Sequence, residues 1–530
     1  MKSERYSKFL AGLVTSLIIL SLVISPVLAI AGDTTRVSVD SSGVQGNSYS
    51  SYLNLPSISA SGRWVAFESG ASNLVSGDTN GYWDIFVRDT QANTTTRISV
   101  DSSGVQGNEP SLSPSISADG RYVAFVSVAS NLVSGDTNGM IDVFVRDTQT
   151  NSTTRVSLDS NGVEGNADSY DNSHNVLSIS ADGRYIAFVS DASNLVSGDT
   201  NVKYDVFLRD TQTNTTTRVS VDSSGMEGNS FSALPSISAD GRYVAFVSGA
   251  SNLVSGDTNG KNDVFVRDTQ TNTTTRVTFA SDGAQGNSHS IYPSISADGR
   301  YIAFMSDASN LVSGDTNGKS DVFLLDTQTN STTRVSVDSS GVQGNSPSAF
   351  PSISADGRYV AFVSNASNLV NGDTNVKTDV FVRDTQTNST TRVSLNSSGV
   401  QGNSDSEYPT ISADGHYVAF MSEASNLVSG DTNGSSDVFV HENDVIQNEY
   451  TLIVTSANGT VAKNPDQATY HEGDVVQLTA TPNAGWSFSN WAGGLTSADN
   501  PGFVTIHGNT SVTANYTQNA YTLFLPLILR

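Results

Sequence analysis

The chain has 530 residues, with 27 Lys+Arg against 52 Asp+Glu, a formal net charge of −25, and no cysteine. The length allows a sizeable core and more than one domain. The acidic balance excludes a phosphate-backbone partner, since nucleic-acid binders carry a basic stripe, and the lack of cysteine excludes disulfide staples, thiolate catalysis and Cys-ligated zinc.

Lys2, Arg5 and Lys8 open the chain, an apolar run follows from Phe9 to Val23, and Pro26 leads to Ala29-Ile30-Ala31. A basic start, a short apolar stretch and small residues at a cleavage position make residues 1–31 a secretory signal. The run is short for a membrane span. The expected location is therefore secreted or cell-surface, with no transmembrane span in the mature chain.

Beyond the signal the sequence repeats. Ser-Ala-Asp-Gly or a close variant places its Gly at 62, 120, 183, 241, 299, 357 and 415, in steps of 58 with one of 63. Asp-(Val/Ile)-Phe begins at Asp84, Asp142, Asp205, Asp263, Asp321, Asp379 and Asp437, and Thr-Thr-Arg ends at Arg36, Arg97, Arg155, Arg218, Arg276, Arg334 and Arg392. A fixed period of this size is the mark of a repeat architecture.

Inside one period the pattern is that of strands. Pro114 to Ser117 ends at the turn Ala118-Asp119-Gly120. Arg121 to Ser127 alternates as a pleated strand does. Asp142 to Arg146 and Thr153 to Leu158 follow, joined by a turn at Asp147 to Asn151. Four strands in each of seven units predict an all-β, seven-bladed β-propeller over residues 34–444. The first Thr-Thr-Arg strand, Thr34 to Val39, precedes the first unit, and the last unit, Asp437 to Asp444, has none after it. The N-terminal strand is thus expected to close the ring and remove two raw sheet edges.

The run Pro-Ser-Ile-Ser-Ala-Asp-Gly-Arg-Tyr-Val-Ala-Phe-Val-Ser at 114–127, followed by Asp-Val-Phe-Val-Arg-Asp at 142–147, resembles the WD40-like repeats of TolB-type propellers. The resemblance implies that the Pro-Ser-Ile-Ser strand lies innermost and the Thr-Thr-Arg strand outermost. It implies little about function, because one fold hosts many. The period exceeds that of a compact blade, and the excess lies in polar loops around Ser72–Asn80 and Asp101–Asn108.

Two features carry candidate chemistry. The first is the recurring Ser-Gly-Asp-Thr-Asn-Gly-x-x-Asp loop, whose alternate oxygen side chains, turning Gly and further carboxylate suit a hard cation such as Ca²⁺. Its candidate ligands are Asp78, Asn80 and Asp84, Asp136, Asn138 and Asp142, Asp257, Asn259 and Asp263, Asp315, Asn317 and Asp321, and Asp431, Asn433 and Asp437. Two copies carry Val202 and Val376 in place of the Gly. Turn formation accounts for the same residues without a metal, and no cofactor is required. The Asn-(Thr/Ser)-Thr sites, such as Asn93 and Asn151, likewise read as hairpin turns rather than glycan acceptors.

The second feature is the loop that enters each innermost strand, which differs between copies. In the third unit, residues 167–177, it is five residues longer than usual, and Leu177 stands where the others have Pro. Asp168, Tyr170, Asp171 and His174 in that loop, with Tyr292 and Tyr408 from others, are the candidate ligand-binding residues. Exposed aromatics there suit sugar rings or a protein anchor. No nucleophile elbow, metalloprotease motif or phosphate loop is present, and most acids recur sevenfold whereas a single active site breaks symmetry.

After the propeller, 445–448 reads as a linker and 449–517 as a small β domain. Gly459-Thr-Val461, Tyr470-His-Glu-Gly-Asp-Val-Val476 and Phe488-Ser-Asn-Trp491 resemble the Listeria-type B-repeat of bacterial surface proteins. That resemblance implies an extracellular spacer or adhesion module. Trp486 and Trp491 are expected in its core, and residues 518–530 form a tail that reads either as a sorting signal or as a final edge strand. The function expected is non-enzymatic binding or adhesion to an extracellular protein or polysaccharide. The alternatives are an envelope scaffold stabilised by calcium and an extracellular polymer-degrading enzyme.

Overall fold

The computed structural model describes residues 32–51, 54–171, 177–443, 450–467, 469–470, 474–506 and 508–519. The signal segment 1–31, the linker 445–448, His174 and residues 520–530 lie outside the described residues.

Residues 34–442 form seven four-stranded antiparallel sheets. The second unit shows the pattern: Ser111–Ile116, Tyr122–Ser127, Asp142–Asp147 and Ser152–Arg155, hydrogen-bonded in that order. The two central strands are apolar on both faces because each blade is sandwiched between neighbours. Their phenylalanines face across the ladder, as Phe125 and Phe144 do with ring centroids 5.9 Å apart, both fully buried. The outermost strand is four residues long, ending at Arg155 and not Leu158. Val156 then bonds back to Val143, so the chain leaves the ladder early.

The ends of the array meet in one sheet. Thr34–Arg36 pairs antiparallel with Asp437–Glu442, as the outer strand of the seventh blade. At the turn after each innermost strand, one alanine amide donates to the alanine carbonyl of the next unit, from Ala60 to Ala118 and onward, and Ala413 donates back to Ala60.

Each blade is keyed to the next at the Ala-Asp-Gly turn. Gly183 has φ +74°, and a Cβ there would lie 2.2 Å from the Tyr122 ring of the preceding blade. That ring is capped by the Arg121 guanidinium, 4.7 Å from its centroid, and Arg121 also pairs with Asp147 at 2.7 Å. The glycine therefore permits both the turn and the close approach.

The C-terminal module has two three-stranded sheets. Leu452–Ser456 runs parallel to Thr510–Gln518, which pairs with Trp486–Gly493. Gly459–Asn464, Val475–Pro482 and Gly502–Thr505 form the other sheet. Its core gathers Tyr470, Val476, Leu478, Trp491 and Ile506, all fully buried. Trp491 is in the core as expected, and its indole N–H donates to the Asp499 carbonyl at 2.8 Å. Trp486 is instead half-buried, outside that cluster.

Candidate functional site

The repeated acidic loops and the variable loops share one face of the propeller, since the Ile141 N–H in one donates to the Asp168 carboxylate in the other. They differ sharply in what their side chains do.

In the first unit Asp84 is fully buried at the start of its strand. One carboxylate oxygen accepts from the Ser99 hydroxyl at 2.5 Å, and the other from the Asn80 amide at 3.1 Å. Arg97, from the outer strand, lies 3.4 Å from Asp84 and 3.2 Å from Asp78. The guanidinium thus supplies positive charge between the two carboxylates. Asn80 turns its N–H, not its oxygen, toward Asp84, and its oxygen accepts the Tyr82 amide. The same clamp joins Asp136, Asn138 and Asp142 to Arg155, and Asp315, Asn317 and Asp321 to Arg334. Asn259 bonds Asp263 while Arg276 pairs with Asp257. In the seventh unit Asn433 bonds Asp437, and the arginine on Asp431 and Asp437 is Arg36 of the N-terminal strand.

The two copies with valine in place of glycine build the network as well. Val202 and Val376 adopt φ of 54° and 56°, and Asn201 and Asn375 still bond Asp205 and Asp379. The second and third units go further, because Glu164 and Glu227 stand where the first unit has Gln106, and Glu164 lies 2.9 Å from Arg155. Carboxylate oxygens of Asp199, Asp205 and Glu227 lie within 4.8 Å of one another, with Arg218 at 3.3, 3.3 and 2.9 Å from them. Burial, with the Asp205 charge beside it, pushes the Asp199 carboxyl up to about 6.

The variable loops converge where the innermost strands meet. Each regular inner strand carries a bulge whose residue has positive φ: Ser113, Leu234, Tyr292, Phe350 and Tyr408. In three successive blades that residue is aromatic. Tyr292 and Phe350 have ring centroids 4.5 Å apart, and Phe350 and Tyr408 5.0 Å apart. From the first blade comes Glu68, fully buried, where the other six units carry Val or Met. Its carboxylate accepts from the Asn54 amide at 2.9 Å and from the Ser113 backbone N–H of the next blade at 3.1 Å.

Tyr170 and Asp171 come from the long third loop. The Tyr170 hydroxyl is pushed up by burial and by the charges of Glu68 and Asp171, and that of Tyr292 by burial and Asp171. The structure therefore brings Tyr170, Asp171, Tyr292 and Tyr408 together and adds Phe350 and Glu68. Asp168 has another task. Its carboxylate accepts the Ile141 N–H at 2.8 Å, as Asp405 accepts that of Thr378 in the sixth blade. Glu68 was legible in the sequence as the one acid at a position that is otherwise Val or Met.

Comparison with known proteins separates the two parts of the chain. Residues 450–520 match the divergent InlB B-repeat domain. The B-repeat module is thus what its Gly-Thr-Val and Phe-x-x-Trp motifs suggested. No curated protein matches the chain. Among solved structures it is similar to TolB from Acinetobacter baumannii, at 18% identity and TM-score 0.34, covering 58% of each chain. It is similar to a putative TolB from Agrobacterium tumefaciens, at 17% and 0.36, covering 66% of this chain and 94% of that one. It is similar also to an oligogalacturonate lyase from Vibrio parahaemolyticus, at 12% and 0.46, covering 78% and 98%. Among the described residues no helix is long and apolar enough to cross a membrane.

Proposed function

We propose that this protein is an exported, non-enzymatic recognition protein of the cell exterior, and that its propeller takes its ligand where the innermost strands converge. One observation carries the reading: departures from sevenfold repetition gather at that place. Glu68, the long loop with Tyr170 and Asp171, and the Tyr292–Phe350–Tyr408 row all lie there, whereas the acids of the repeated loops are tied to arginines. Where several departures from a repeat gather at one locus, binding concentrates there. Aromatic rings beside carboxylates suit the apolar faces and hydroxyls of a sugar, and the negative charge of the chain disfavours a polyanion. The B-repeat module serves as a spacer or attachment element.

The test is binding of residues 32–530 to neutral, cationic and acidic polysaccharides and to cell-envelope protein fractions. Saturable binding to a non-acidic glycan is expected, weakened at least tenfold by Tyr292→Ala and by Glu68→Gln with the thermal midpoint kept. Gln retains an acceptor for Asn54 and Ser113, so loss of binding there reports the site and not the fold. Binding that survives both substitutions sinks this location. Saturable binding confined to an envelope protein replaces the glycan with a protein partner.

A further inference from the structure

The strand onto which the N-terminal strand fastens, Asp437–Glu442, carries a residue found at its register in no other blade. Five blades have arginine there, Arg88, Arg146, Arg209, Arg267 and Arg383, one has Leu325, and the seventh has His441. In the arginine blades the guanidinium donates to a threonine of the outer strand and to a turn carbonyl of the preceding unit, as Arg146 does to Thr153 at 3.0 Å and to the Asp101 carbonyl at 2.9 Å. The matching threonine in the seventh blade is Thr34, on the N-terminal strand. His441 Nδ1 lies 2.8 Å from its hydroxyl. That hydroxyl donates onward to the Leu395 carbonyl, so the imidazole is the donor to it through Nδ1–H.

We propose that His441 makes the junction of the two chain ends a proton-operated latch: a neutral imidazole holds the N-terminal strand, and acid releases it. The ring is 2% exposed and directly opposite Thr34 in the ladder. A second proton on it places a full charge inside the sheet interface, where burial disfavours charge. The same burial pushes the imidazole down to about 4, against the opposing pull of Asp33.

The groups around it are few. Asp33 precedes Thr34, Glu442 follows His441, Tyr417 faces Glu442 from the adjacent strand, and Arg36 pairs with Asp437 at the far end of the junction. From the preceding unit the strand meets the Leu395 carbonyl and the Ser397 hydroxyl, which are uncharged. The sign follows. The unfolded chain takes up the proton near pH 6.5 and the folded junction only well below that, so junction stability is full at neutral pH and falls as pH drops from 6.5 toward 4.

Hydrogen exchange over residues 33–39 of the 32–530 chain, corrected for the intrinsic pH dependence, tests this. Opening of that strand is expected to rise at least tenfold between pH 7 and pH 4.5. In His441→Arg, which can reach Thr34 and the Asn396 carbonyl as its counterparts do, the rise is expected to vanish. His441→Leu copies the fifth blade and serves if the arginine variant folds poorly. Titration of Asp199, in the third blade, is common to all three proteins and cancels. Equal rises in wild type and both variants, or none in wild type, overturn the latch.

Discussion

At the scale of single residues, the blades differ in how many carboxylates surround one arginine. Arg97 has two aspartates and a glutamine, whereas Arg155 has Asp136, Asp142 and Glu164, and Arg218 has Asp199, Asp205 and Glu227. Burial first, then the Asp205 charge and to a lesser degree that of Glu227, raise the Asp199 carboxyl to about 6. An acid raised in the folded state stabilises below its unfolded value and loses that contribution as pH climbs through 6. Asp199→Asn is therefore expected to stabilise the protein at pH 7.5 by about 1 kcal/mol, allowing for solvent screening, and by clearly less at pH 4.5. Urea unfolding at the two pH values decides it, and a gain of the same size at both removes the charge argument. The sequence shows why this residue escapes a motif search. Asp199 belongs to a copy whose Gly is replaced by Val202, a change that weakens any calcium reading. One of its neighbours, Glu227, lies 28 residues away on the next loop, and only the fold gathers both carboxylates around Arg218.

At the scale of elements, most of the blade was legible, because alternation and turn residues are local signals. The inner strand was the exception. Its reading as Pro114 to Ser117 missed Ser111 to Ser113, since a bulge with Ser113 at positive φ breaks the period of two just where the strand bends. Tyr292, Phe350 and Tyr408 sit on that same bulge, so the segment hardest to read as a strand is the one that holds the aromatic row. The Ala-Asp-Gly turn was read as a turn alone, and its packing role came only with the neighbouring blade. Gly183→Ala is expected to cost about 2–4 kcal/mol, combining a positive φ with a methyl driven into the Tyr122 ring. Gly135→Ala, also at positive φ but with open space around its Cβ position, is expected to cost about 1 kcal/mol. Chemical denaturation of the pair separates strain from clash, and equal losses refute the packing argument.

At the scale of the whole molecule, repetition made the architecture visible, and the same repetition concealed the candidate site. A period of 58 residues announces seven equivalent units, and a reading of equivalent units favours what they share. The shared acids read as turn formers or as calcium ligands, and neither reading names the arginine that pairs with them, because it lies on a different strand. With Arg97, Arg155, Arg276, Arg334 and Arg36 already on these carboxylates, a cation would have to displace a guanidinium in each blade. Calcium at millimolar concentration, or its chelation, is accordingly expected to leave the thermal midpoint unchanged, and a marked rise with calcium would restore the metal reading.

The alanine amides that pass from blade to blade and return from Ala413 to Ala60 bear on how such a protein can evolve. Nearly identical tandem units invite unequal recombination, which adds or drops a unit while leaving each local junction in register. An open stack tolerates such drift, because its end units have only one neighbour each. A circuit does not, because a six- or eight-membered version must change its curvature at every junction at once. Copy number is therefore selected as a whole and not unit by unit. Excising one unit, residues 300–357, splices Gly299 to Arg358 and recreates the same turn. The product is expected to be expressed as an unfolded or self-associated chain, and a folded monomer would show that the circuit adapts more readily than its geometry implies.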